Sequence, residues 1–460
     1  MPEVKNDFTK GQIWKVILRM AVPMMLAQLV NVLYNVVDRM YIGHIPETGA
    51  MALTGLGVVM PLVFIITAFA NLCGSGGGPL CSIARGRGDL AEAQRLMGNS
   101  FTLLLLLAVV LMTVLLAFLR PILYLFGASA ETYPYASAYG RTYLLGTLFV
   151  MTSLGMNAFI NAQGFAKMGM LTVGIGAVIN IILDPIFIFA LDMGVVGAAW
   201  ATVIAQFCSA VWVLCFLRSR HAILAFLPRD MRLEWTTVRQ ILALGVTGFV
   251  MGITTGFVQI GCNTQLQRYG GDVYVGAMTV INSVKEITFL AVQGMISGAQ
   301  PVLGYNYGAR AYDRVRGGIR FVFLFAVIYA ATVWVVSMLI PGTLIRIFNS
   351  DPALLRVGVP ALRIYFCGFI FMALQSTGQC TFVGLGRAKY AVTFSLLRKI
   401  VIVLPLVFLL PMFPLFGVNG VFWSEPISDL IGGGACFLTM YFTVYRPLGR
   451  EPLPAGGEER

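Results

Sequence analysis

Long uncharged stretches recur along the chain, at 96–119, 142–166, 193–217, 240–267, 321–345, 364–386 and 400–424. Each exceeds the roughly 20 helical residues that cross a ~30 Å hydrocarbon core. Extended to their polar flanks, and with neighbouring apolar segments that hold one or two charges, the pattern predicts twelve spans. They fall at about 13–41, 50–80, 96–119, 137–162, 168–192, 195–217, 238–266, 274–303, 318–345, 358–384, 388–412 and 418–444. The fold class expected is an all-α membrane protein of twelve transmembrane helices. Mid-span prolines at 185, 405 and 426 each remove a backbone donor, so those helices are expected to bend or rearrange.

Sliding the chain against itself by 222 residues brings landmarks into register. Pro79 meets Pro301, Arg141 meets Arg363, Tyr143 meets Tyr365, Gly146 meets Gly368, and Gly164 to Lys167 meets Gly386 to Lys389; later the offset becomes 223, pairing Trp200 with Trp423. Six spans per copy is an even number, so both copies enter from one side and the repeat is parallel. The organisation expected is therefore two six-helix lobes: an N-terminal lobe 1–217, a cytoplasmic linker 218–239, a C-terminal lobe 240–446 and a disordered cytoplasmic tail 447–460. A two-lobe plan suits a binding site at the lobe interface and alternating access.

Composition sharpens this picture. The chain is 58% hydrophobic and 11% charged, against roughly 25% charged in soluble proteins. Its formal charge of +12 invites a nucleic-acid reading, but the basic residues cluster in alternate connections, such as Arg85, Arg87 and Arg95, Arg218 to Arg239, and Arg310 to Arg320. Arg387, Lys389, Arg398 and Lys399 flank the connection after span 10. The positive-inside rule then places both termini in the cytoplasm of a multi-pass plasma (inner) membrane protein. No contiguous basic face for nucleic acid remains. The eight cysteines show no metal-ligand spacing, and no phosphate loop, dinucleotide fingerprint in a strand context, His-Glu-x-x-His or nucleophile elbow is present. The chain is not expected to be an enzyme, and no catalytic residue or cofactor is expected beyond a monovalent cation, H+ or Na+.

Polar groups at membrane depth need a partner, water or a task. Gln28, Asn31, Asn35 and Asp38 share one face of span 1; Asn180 and Asp184 are one turn apart in span 5, and Thr202 and Gln206 in span 6. Counting residues from the outer ends puts Asp38, Asp184 and Thr202 at similar depth, so they can meet. Two carboxylates so close should share a proton or bind a monovalent cation. The expected coupling site is Asp38, Asn180, Asp184 and Thr202. The expected substrate cavity is Gln28, Asn31, Asn35, Gln163, Gln206, Asn282, Glu286, Gln293 and Asp429. Glu286, Glu425 and Asp429 could instead be salt-bridged to Lys285 or Arg363. Interior acids outnumber the clear interior bases in this reading, which favours a cationic cargo.

Taken together, Pro23 to Gly43 with Asp38, Gly77-Gly78-Pro79-Leu80, Gln163-Gly164, Asn180 to Pro185 with Gly194 to Thr202, and Gln300-Pro301 to Asn306-Tyr307-Gly308-Ala309 resemble the multidrug and toxic compound extrusion (MATE) family, in its bacterial MepA-like branch. The resemblance implies a twelve-helix, two-lobe exporter driven by a proton or sodium gradient, with a first-lobe cation site at Asp38, Asn180, Asp184 and Thr202. Some relatives use acids in spans 7 and 10, where this chain has none. The expectation is a secondary antiporter of amphipathic, cationic drugs or metabolites, acting as a monomer on a small organic substrate among membrane lipids, with no nucleic-acid partner. The rival readings are a lipid-linked saccharide flippase, which calls for a cationic cavity, and, more remotely, a channel or receptor.

Overall fold

The computed structural model describes residues 6–46, 49–348 and 351–449; Lys5, Arg450, Arg460 and most of the expected 447–460 tail lie outside them. Among the described residues every regular element is helical. Eleven helices are long and apolar enough to cross a membrane, and a twelfth span is the pair Tyr133–Leu145 and Thr147–Ala162, bent by 55°. The others are Ile13–Gly43, Met51–Arg87, Leu90–Ala117, Ala166–Ala190, Gly194–Arg218, Trp235–Gly270, Val273–Gly308, Tyr312–Leu339, Pro352–Gly384, Ala388–Met412 and Gly417–Tyr445. They are numbered spans 1 to 12 below, the bent pair being span 4. Leu29, Leu33, Val36 and Met40 in span 1 are exposed, which is costly in water and natural in lipid.

The chain divides into two compact units, one made of Arg19–Phe249 with the residues up to Asp7, the other of Phe8–Leu18 with Val250 onward. Each has its own apolar core. In the first, Leu62, Ile66, Met151 and Phe159 are fully buried; in the second, Ala330, Leu362, Phe366 and Phe422 take that part. The start of span 1 is held to the second unit by Arg314, whose guanidinium donates to the carbonyls of Phe8 at 2.8 Å and Gly11 at 2.7 Å.

The bend in span 4 has a sequence cause. Its hinge is Gly146, where an added Cβ would come within 2.7 Å of Val203 on span 6. The repeat-related Gly368 interrupts span 10, followed by a 3-10 turn at Phe369–Phe371, and a Cβ there would meet Pro426 of span 12 at 2.7 Å. Both glycines let two helix backbones approach closely. The prolines act as expected from their missing donors. A π-helical stretch, Ile186–Ala190, follows Pro185; another, Leu397–Val403, precedes Pro405; a third, Asp429–Gly433, follows Pro426. Such widened turns re-aim the side chains beside them. Asp184 and Asp429 stand at two of them, and Arg398 and Lys399 lie inside the remaining one.

Candidate functional site

In the first unit Asp38, Asn180, Asp184 and Thr202 come together. All four are buried, Asp184 completely. Span 5 carries Asn180 and Asp184 one turn apart, so the Asn180 amide donates to Asp184 Oδ1 at 3.2 Å and contacts the Thr202 hydroxyl at 3.4 Å. Thr202 in turn donates to the Ala198 carbonyl at 3.1 Å. From span 1, the Asp38 carboxyl reaches hydrogen-bonding range of the Asp184 carboxyl. Three oxygens in this group, Asp38 Oδ1, Asn180 Oδ1 and Asp184 Oδ2, are buried without a hydrogen-bond partner among the described residues. Unmatched acceptors in apolar surroundings are expensive, and a proton or a small cation satisfies them. The donor set, two carboxylates with amide and hydroxyl oxygens, is hard oxygen chemistry that suits H+ or an alkali cation.

Two tyrosines complete this group and were missing from the sequence reading. Tyr139 shares a hydrogen bond with the Thr202 side chain and lies near Asp38. Tyr34, one turn before Asp38, lies near both carboxyls. Tyr34 could have been found from its i, i+4 spacing to Asp38. Tyr139 could not, because only the packing of span 4 turns it toward span 6.

Within each unit the residues expected to line a substrate cavity have different surroundings. Gln28, Asn31 and Asn35 are part-buried on span 1, and the Asn35 amide donates back to the Asn31 carbonyl at 2.7 Å. Gln206 accepts from Ser153 at 2.8 Å. Gln163 is a correction: it is fully buried, its Oε1 accepts from the backbone N–H groups of Ile223 and Leu224 at 2.8 and 2.9 Å, and it anchors the loop after span 6. A Gln-Gly pair at a helix end reads equally well as a ligand group or a loop anchor until the loop's position is known.

In the second unit, Glu286 and Gln293 share one exposed face of span 8, seven residues apart. Asp429 is a second correction, since it is buried and paired with Arg398 at 2.6 Å. Of the two pairings that sequence left open for these acids, Lys285 is used, and Arg363 makes no ion pair with them among the described residues. Arg398 and Lys399, counted at the cytoplasmic end of span 11, are a third. The span runs from Ala388, so both lie more than two turns inside it, and they turn inward. Glu425 Oε1 accepts from Lys285 at 2.6 Å, Arg398 at 3.0 Å and Lys399 at 3.1 Å, while Lys285 also donates to the Tyr365 hydroxyl at 2.7 Å. Asn282 sits beside this cluster, donating to Gln259 at 2.8 Å. The local balance of charge therefore changes: this cluster holds three cations and two carboxylates, so the excess of interior acids does not extend to it.

The MatE family model matches the chain twice, over residues 23–186 and 246–409. The chain belongs to the MatE family. The two matches start 223 residues apart, in agreement with the internal repeat. The chain is 28% identical over 448 residues to the multidrug export protein MepA of Staphylococcus haemolyticus, covering 95% of this chain and 94% of that protein. To MepA of Staphylococcus aureus strain MRSA252 it is 26% identical over 446 residues, 94% of this chain and 95% of that one. Its fold matches the crystal structure of MATE in the bent conformation with a TM-score of 0.91 at 22% identity, covering 97% of this chain and 98% of that one. An outward-facing multidrug resistance MATE transporter of the MOP superfamily matches with a TM-score of 0.90 at 22% identity, over 96% and 98% of the two chains. The chain is thus an all-helical, two-lobe, multi-pass membrane transporter and not an enzyme. The family-model register also locates the counterparts of the first site. At offsets of 222 to 223, Asp38, Asn180 and Asp184 fall against Ile260 or Gly261, Ile402 or Val403, and Leu406 or Val407, none of which has a ligating side chain, while Thr202, read from the Trp200–Trp423 pairing, falls against Glu425.

Proposed function

We propose that the protein is a secondary antiporter that exports amphipathic drugs or metabolites, exchanging them for H+ or Na+ bound at Asp38, Asn180, Asp184 and Thr202 as the molecule opens alternately to the two sides of a bacterial plasma membrane. Both termini lie in the cytoplasm in this reading. The observation that carries it is the trio of unpartnered oxygens on Asp38, Asn180 and Asp184. Two buried carboxyls side by side repel when both are ionised, so the pair holds a proton or a cation and releases it when the site meets water. The relatives that export multiple drugs support the direction and the cargo class. The exposed Glu286 and Gln293 on span 8 suit polar cargo groups moving along that face, since an exposed polar stripe at membrane depth meets water more cheaply than lipid.

The test is dye efflux in inverted vesicles with proton and sodium gradients imposed separately. Efflux should follow one of the two gradients and collapse when it is dissipated. Asp184→Asn should lose gradient-driven efflux by more than tenfold while the protein still inserts and elutes as a single species. Undiminished coupled efflux in that variant sinks the assignment.

A further inference from the structure

We infer that the second repeat contains a binding site for the anionic group, a carboxylate or phosphate, of an amphipathic molecule, held by Lys399 and Tyr365 in the cavity beside Glu425. The cavity has a volume of about 40 Å³, room for the anionic group alone, and its lining includes Gln259, Asn282, Lys285, Tyr365, Lys399 and Glu425. Span 8 supplies Lys285, span 11 Arg398 and Lys399, and span 12 Glu425 and Asp429, all well inside their helices. The cluster they form has three cations and two carboxylates. The side chains of Arg398, Lys399, Glu425 and Asp429 are only 12%, 14%, 6% and 7% exposed, and Lys285 is 28% exposed.

One positive charge is left over, and its owner can be located. Glu425 is claimed by Lys285 at 2.6 Å, and Asp429 by Arg398 at 2.6 Å. Lys399 has only a share of Glu425 Oε1, at 3.1 Å. An ammonium carries three N–H donors, and among the described residues Lys399 spends one. Tyr365 accepts from Lys285 at 2.7 Å, which leaves its own O–H free to donate into the same space. An excess cation in an apolar interior is costly, and three unspent donors, two on Lys399 and one on Tyr365, define what relieves it: an acceptor bearing negative charge. Nothing in the first unit duplicates this, because the position matching Glu425 there is Thr202 and its neighbours are the two acids.

As a statement about cargo this rests on the exporter reading; as a statement about binding it does not, and the experiment measures binding. Rhodamine 110, which carries a free carboxylate, and rhodamine 123, its methyl ester, differ at the group in question. Their affinities for the purified full-length protein are measured by fluorescence polarisation. Rhodamine 110 should bind roughly tenfold or more tighter than rhodamine 123, the worth of a charge-assisted hydrogen bond. Lys399→Gln leaves two cations with two carboxylates and should erase that preference, whereas Lys399→Arg should keep it. A wild-type protein without the preference, or a Lys399→Gln variant that retains it, overturns the proposal. Competition by short-chain phosphatidylglycerol but not phosphatidylcholine would identify a lipid headgroup as an occupant of the same site; indifference to both leaves the soluble amphipath. A protein that binds rhodamine 110 selectively yet exports no dye under any gradient refutes the exporter and leaves the anion site standing.

Discussion

Replacing Glu425 by Gln should destabilise the protein far more than replacing Lys399 by Gln, although both remove one charge from one cluster. Glu425 Oε1 is the common acceptor for Lys285, Arg398 and Lys399 at 2.6, 3.0 and 3.1 Å. Its loss leaves three buried cations facing Asp429 alone, a surplus of two. Breaking a buried pair from one side costs roughly 3–5 kcal/mol, because what remains is an uncompensated charge. Lys399→Gln moves the other way, from a surplus of one to balance, and keeps a neutral donor near Glu425. Its cost should be under about 1 kcal/mol and could be negative. With an unfolding entropy scaled to one six-helix unit, the first change lowers the midpoint by roughly 7–11 °C and the second by about 2 °C at most. Thermal unfolding of both variants in one detergent, followed by tryptophan fluorescence, checks the ranking. The double variant should recover part of what Glu425→Gln loses. Equal midpoints for the two single variants, or no recovery in the double, would refute the charge count.

Other expectations follow from single contacts. Gln163→Ala strands the N–H groups of Ile223 and Leu224, a loss of about 1–3 kcal/mol for each buried donor, and should expose the 219–234 loop to limited proteolysis at lower protease concentration than wild type. Gly368→Ala should cost more than Gly146→Ala, because the new methyl meets the Pro426 backbone in the first case and the Val203 side chain in the second; overpacking of this kind costs roughly 1–3 kcal/mol, with the smaller figure for the neighbour that can turn aside. Midpoints measured side by side decide the order.

The architecture was legible because lipid imposes a simple rule: each span must be long, apolar and internally hydrogen-bonded. Twelve spans, their approximate ends and the 222 to 223 residue register all follow from that rule. The meeting of Asp38, Asn180, Asp184 and Thr202 was legible too, because four polar residues at one depth on three helices have few ways to avoid each other. Charge position was harder. Arg398 and Lys399 look like the cytoplasmic end of a span when only uncharged runs are counted, and nothing local to them announces Glu425, some 26 residues later. Their inward turn depends on the π-helical stretch Leu397–Val403 and on the close packing of spans 11 and 12. Gln163 was misjudged for a related reason, since its partners are backbone groups of a loop whose path the sequence does not reveal.

The divergence of the two repeats bears on how many coupling cations the protein can use. A repeat-related cation site finds no ligand in the second unit, since positions 260–261, 402–403 and 406–407 are Ile-Gly, Ile-Val and Leu-Val, and the one acid at a matching position, Glu425, already accepts from three cations. A sodium ion entering that cluster would have to displace an ammonium or a guanidinium at 2.6 to 3.1 Å and add to an existing positive surplus, which is unfavourable on both counts. In the proposed antiport, coupling is thus confined to the first repeat. Under a sodium gradient, efflux should depend on sodium with a Hill coefficient near 1, a single-site value; under a proton gradient, Asp38 and Asp184 together set the ceiling at two protons per cycle. The double variant Asp38→Asn, Asp184→Asn should then show no residual gradient dependence at any ion concentration, with dye efflux reduced to passive leak. Residual coupling in that variant would require cation chemistry in the second repeat and would overturn the charge assignment of Glu425 along with it.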